Sequence, residues 1–98
     1  MTKVYMEQAG NHYTVTCKGH ATGSPEMCAA ISCLVYTLAG WLSNRTALVL
    51  EQKLEPGDIC LSFVGGQNCE AVFDMVTIGF LQLQQGDPEH IDVDLIWH

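Results

Sequence analysis

Two residues stand out by type and setting: Cys28 and His20, separated by seven residues. A thiolate attacks carbonyl carbon, and an imidazole titrating near neutrality can take the thiol proton and later return it to a leaving amine. Cys28 falls in the first turn or so of a predicted helix. Unpaired amides and the positive end of the helix dipole favour negative charge on the sulfur there. The same amides can hold an oxyanion formed beside it. His20 stands where an alternating segment gives way to Gly19-His20-Ala21-Thr22-Gly23, a loop able to fold back and bring the imidazole to the thiol. On spacing alone the pair is a weak signal, because a His and a Cys at a loop–helix junction are commonly unrelated.

The remaining candidates are weaker. The cysteines are Cys17, Cys28, Cys33, Cys60 and Cys69, an odd count with no Cys-x-x-Cys and no His-x-x-His, so the strong zinc patterns are absent. Cys33 lies about 500° around the helix from Cys28 and is expected in the core. Cys17, Cys60 and Cys69 sit among apolar neighbours and are expected to pack as small apolar groups. His12 and His98 are expected in solvent. Asp58 could orient a histidine, but it stands in a Pro-Gly turn, where Asp is ordinary. Gly65-Gly66 is too short for a phosphate loop.

The elements that must position the pair read clearly. Residues 3–8 and 13–18 alternate around Ala9-Gly10-Asn11-His12, a β-hairpin pattern. Ser24-Pro25-Glu26 then supplies an N-cap, a proline at the first helical position and an acid in the first turn. The helix is predicted to run to about Ser43, with Cys28, Ile31, Val35, Leu38, Ala39 and Leu42 at helical spacing. Thr46 to Lys53 reads as a strand, Glu55-Pro56-Gly57-Asp58 as a turn, and Ile59 to Val64 as the next strand. Asn68 is a plausible cap for a second helix over about Cys69 to Gln85, ended by Gly86 and Pro88. In that helix Val72, Met75, Val76 and Leu83 are expected on one face, with Phe73, Phe80 and Leu81 partly elsewhere. His90 to Trp97 closes with a strand. The order ββαββαβ, without repeat or linker, predicts one α+β domain over residues 1–98 with a mainly antiparallel sheet. Excess apolar surface on the helices predicts a homodimer.

Composition narrows the function. Eleven Asp and Glu against four Lys and Arg give a formal net charge of −7. Scattered cations at Lys3, Lys18, Arg45 and Lys53 argue against nucleic acid and leave a basic protein or peptide as the expected partner. The run from Met27 to Asn44 carries no charge. It is short for a bilayer and lacks flanking basic anchors, so a buried helix is expected and no membrane partner. No signal-peptide pattern opens the chain. With free thiols, this predicts a reducing, cytoplasmic setting.

Gly19-His20-Ala21, a glycine-containing loop and Cys28-Ala29-Ala30-Ile31-Ser32 together resemble the signature of the ribosomal-processing cysteine protease (Prp) family. Only this stretch of 14 residues is specific, although the element order is similar over nearly the whole chain. The resemblance implies a dyad with Cys28 as nucleophile and His20 as base, without metal or cofactor. It implies that Gly19, Ala21, Gly23, Glu26 and Ser32 attend the substrate. It also implies a small homodimer that removes an N-terminal extension from large-subunit ribosomal protein twenty-seven, a basic substrate. Two departures stand out. The loop between His20 and Cys28, which gates substrate entry in the family, is several residues shorter here. Pro25 replaces the acidic residue often found three before the cysteine, with Glu26 adjacent. Three rival readings are a phage relative processing a capsid precursor, a non-enzymatic acidic dimeric module, and a redox or metal-holding domain using Cys28, Cys33 and His20.

Overall fold

The computed structural model describes residues 1–21, 23–45 and 48–98; Thr22, in the glycine loop, and Thr46 and Ala47, expected to open the third strand, lie outside them. The elements follow the expected order: β1 (Thr2–Ala9), β2 (His12–Lys18), α1 (Pro25–Ser43), β3 (Leu48–Glu55), β4 (Asp58–Val64), α2 (Gln67–Gly86) and β5 (Ile91–Trp97). The five strands form one sheet in the order β3-β4-β2-β1-β5. All pairs are antiparallel except β1 with β5. The architecture is α+β.

Period-two alternation decides which sheet face is covered. Val4 and Met6 of β1, Tyr13, Val15 and Cys17 of β2, Ile59, Leu61 and Phe63 of β4, and Ile91 and Val93 of β5 are all buried. They form one core cluster with the inner stripes of both helices. In α1 that stripe is Met27, Ile31, Val35, Leu38, Ala39 and Leu42. Met27 thus takes the place expected for Cys28, whose side chain is only half-buried. Although α1 is long and apolar enough to cross a membrane, this stripe is spent on the sheet.

The second helix departs from expectation. It begins at Gln67 with Gly66 as N-cap, not after Asn68, and Gly66 offers no side chain to cap it. Its buried residues are Cys69, Phe73, Val76 and Phe80, whereas Met75 is 61% exposed. The aromatic residues set the rotation. Phe73 packs on Tyr13 at a centroid distance of 5.0 Å, and Tyr13 stacks on Phe63 at 5.3 Å. Burying large rings removes more apolar area from water than burying Met75 and Val72 would.

Candidate active site

Strand β2 delivers His20. Its ladder with β4 runs to Lys18 opposite Asp58. One step further, the Gly19 N–H donates to the Gly57 carbonyl at 3.0 Å. Lys18 pairs with Asp58, and Lys53 pairs with the same carboxylate. These two ammonium groups, Lys18 first, hold the Asp58 carboxyl down at about 2. Asp58 therefore anchors the β3–β4 turn and does not orient a histidine. Gly19, at φ 86°, also lets the N-terminus pass: a Cβ there would stand 2.8 Å from the Met1 carbonyl oxygen.

Helix α1 delivers Cys28. Ser24 is the N-cap, its Oγ accepting from the Met27 N–H at 3.2 Å, and Pro25 takes the first helical position as its fixed φ favours. The Cys28 N–H donates to the Ser24 carbonyl at 3.2 Å. Since Pro25 has no N–H, the Glu26 amide is the one helix-start amide without a partner among the described residues. The helix start thus offers an oxyanion fewer donors than the sequence suggests, because the cap itself uses them.

His20 and Cys28 line one cleft of about 110 Å³. Its walls come from the first turns of α1 (Ile31, Ser32, Tyr36), the start of β1 (Thr2) and the β3–β4 turn (Glu55, Pro56, Gly57). The Cys28 thiol donates to the Ala21 carbonyl at 3.8 Å. No hydrogen bond joins it to the imidazole among the described residues. The His20 ring is exposed and rests against Gly57.

Of the other expected substrate residues, Gly19 and Ser32 line this cleft and Gly23 and Glu26 do not. Ala21 is buried, presenting its carbonyl to the thiol. Thr2, Tyr36 and Gly57 also line it, though little in their sequence setting marks them. The only signal was the Pro56-Gly57 pair, which reads as a turn and nothing more. Thr2 is tied into the site by its N–H to the His90 carbonyl at 3.0 Å and its hydroxyl to the Gly19 carbonyl at 3.3 Å. The His90 Nδ1 in turn meets the Asp87 carboxylate at 2.8 Å.

The remaining cysteines sort by environment. Burial pushes the Cys17 thiol up to about 12 and raises Cys69 and Cys60 as well. Cys17 and Cys69 are buried as expected, while Cys60 is only half-buried. Cys33 is exposed, not in the core, because the stripe of α1 leaves it facing away from the sheet. His12 is exposed as expected, yet its Nε2 lies 2.7 Å from Ser62 Oγ. His98 is also exposed, with Nε2 2.9 Å from a Glu7 oxygen. A larger hollow of about 510 Å³ opens at the start of α2. Among the described residues its only nucleophile is the buried Cys69.

Comparison with known proteins gives the family and the fold. The family model of cysteine protease Prp matches residues 1–92. The chain belongs to the Prp family. Among solved structures it is similar to the ribosomal processing protease Prp of Staphylococcus aureus in complex with a covalently linked product peptide, with a TM-score of 0.83 at 12% identity, covering 97% of this chain and 99% of that one. The same protease with a substrate peptide gives 0.74 at 9% identity, with coverage of 97% and 99%. A Streptococcus mutans protein gives 0.77 at 20% identity, covering 100% of this chain and 96% of that one. At these identities the structures speak to the fold, and the family rests on the sequence model. No curated relative matches the sequence.

Proposed function

We propose that the chain is a cysteine endopeptidase in which Cys28 is the nucleophile and His20 its base. The observation that carries this reading is that one cleft holds the half-buried thiol, the exposed imidazole and no other cysteine free of deep burial. The thiol turns from the Ala21 carbonyl and gives its proton to the imidazole. The resulting thiolate attacks the scissile carbonyl carbon, and the imidazolium protonates the departing amine as the C–N bond breaks. Water, losing a proton to His20, then cleaves the thioester, and that proton returns to sulfur.

The substrate is read as a basic protein that loses an N-terminal extension, with the precursor of large-subunit ribosomal protein twenty-seven as the leading case. Family membership, the net charge of −7 and Glu55 on the cleft wall support it. A reducing, cytoplasmic setting suits the five free cysteines. A homodimer suits the apolar surface left by Tyr36, Met75 and Ile78.

Mass spectrometry of an extension peptide incubated with the wild type, Cys28→Ser and His20→Ala tests the reading. The wild type cuts, with kcat/KM falling as salt screens the attraction. Both variants lose activity, His20→Ala by about 10²–10⁴-fold. Undiminished cleavage by either variant removes the dyad. If the peptide stays intact while Cys28 alkylates rapidly, the thiol chemistry stands and the substrate is replaced, with a capsid-precursor peptide next.

A further inference from the structure

We infer that Gly57, in the turn between β3 and β4, is a positioning residue for the imidazole of His20. The inference rests on the dyad proposed above and adds to it the surface that aims the base.

Two contacts converge on this glycine. Its carbonyl accepts the Gly19 N–H at 3.0 Å, which ties the residue before His20 to the turn. Its Cα then faces the ring itself. A Cβ at Gly57 would stand 2.4 Å from His20 Nε2, 2.7 Å from Cε1 and 3.0 Å from Cδ2. Such separations lie well inside van der Waals contact, so any L side chain would displace the imidazole. The ring is otherwise exposed, and no hydrogen bond orients it among the described residues. A solvent-facing imidazole would ordinarily sample several rotamers. The bare backbone of Gly57 is the wall that limits them.

The turn is stiff enough for that task. Pro56 fixes its own φ, and Asp58 is held by Lys18 from β2 and Lys53 from β3. The bland explanation is that Gly57 is there for its φ of 73°, which a Pro-Gly turn requires. Conformation alone, however, does not call for an imidazole seated in the space of the missing Cβ. Asparagine separates the two explanations, since it tolerates positive φ but carries a Cβ.

The experiment measures Cys28 alkylation by iodoacetamide and cleavage of the extension peptide in four proteins: wild type, Gly57→Asn, His20→Ala and the double variant. Gly57→Asn is expected to lower kcat/KM by about ten- to a hundredfold, as misplacement of a catalytic group does. In the His20→Ala background, where no ring remains to be moved, the same substitution should change the alkylation rate less than about twofold. A chain with D-alanine at position 57, assembled by ligation at Cys60, takes positive φ and points its methyl away from the L position. It should recover most of the lost rate. Equal losses in both backgrounds, or a D-alanine chain as slow as Gly57→Asn, would assign the glycine to the turn and overturn the inference. So would wild-type rates for Gly57→Asn. If His20→Ala itself reacts and cleaves like the wild type, it is the dyad that falls. An impaired His20→Ala beside a normal Gly57→Asn removes the positioning role alone.

Discussion

The starts of the two helices are built from the same parts and leave their cysteines in opposite surroundings. Each follows a strand and a glycine-containing loop, and each places a cysteine in or just after its first turn: Cys28 in α1 and Cys69 in α2. At α1 the cap is Ser24, the cysteine is half-buried, and a histidine from the neighbouring strand end shares its cleft. At α2 the cap is Gly66 and Cys69 is 4% exposed beneath the chain. A Cβ at Gly65 would lie 2.2 Å from its sulfur. Burial raises that thiol and removes it from solvent. Two helix starts alike in sequence thus give their cysteines different access to solvent, and of the two only Cys28 shares a cleft with a histidine among the described residues.

The widest separation should appear in paired substitutions. Cys28→Ser is expected to lower peptide cleavage by at least about a thousandfold. Cys69→Ser should leave the rate per folded molecule within about threefold, although a hydroxyl in that apolar site lowers the melting temperature. Comparable losses of cleavage from both would erase the contrast.

Alkylation should show the next largest difference. At neutral pH Cys28 should react at least about a hundredfold faster than Cys69 or Cys17 in the folded protein. Raising the pH to 9 should not release Cys17, because its thiol stays protonated until about 12. Rapid modification of Cys17 at pH 9 without unfolding, read by peptide mapping, would contradict its burial.

Crowding at the second helix predicts a smaller effect. Gly65→Ala must push Cys69 aside and should cost about 1–3 kcal/mol in chemical denaturation, with the cleft near Cys28 still active. The reverse pattern, lost cleavage at full stability, would mean that the two ends of the sheet are coupled.

The smallest change concerns the first cap. Ser24→Ala should cost about 1 kcal/mol, lowering the melting temperature by about 4–8 °C. It should also free the Met27 amide now held by Ser24 Oγ. No change in melting temperature would show that tertiary packing alone holds the start of α1.

Much of this molecule was legible in its sequence because the signals are local. Alternation at Val4, Met6, Tyr13, Val15 and Cys17, and the stripe from Ile31 to Leu42, state which sides face the core. Ser24-Pro25 announces where α1 begins, and Gly19-His20-Ala21 with Cys28-Ala29-Ala30-Ile31-Ser32 carries the family resemblance. Periodicity misjudged α2 because several of its faces are apolar. Which one turns inward depended on rings at Tyr13 and Phe63, far away in the chain.

What the sequence determined by itself was the order of elements, the sheet face that is covered and the candidate pair, Cys28 and His20. Tertiary structure alone decided the parallel seam between β1 and β5, the burial of Cys69 and the exposure of Cys33. It also decided that the β3–β4 turn lies against His20. The physical reason is one of range. Propensities, caps and alternation act within a few residues, whereas His20 and Gly57 meet only after β2 has paired with β4 and carried the ladder one step past Lys18 and Asp58.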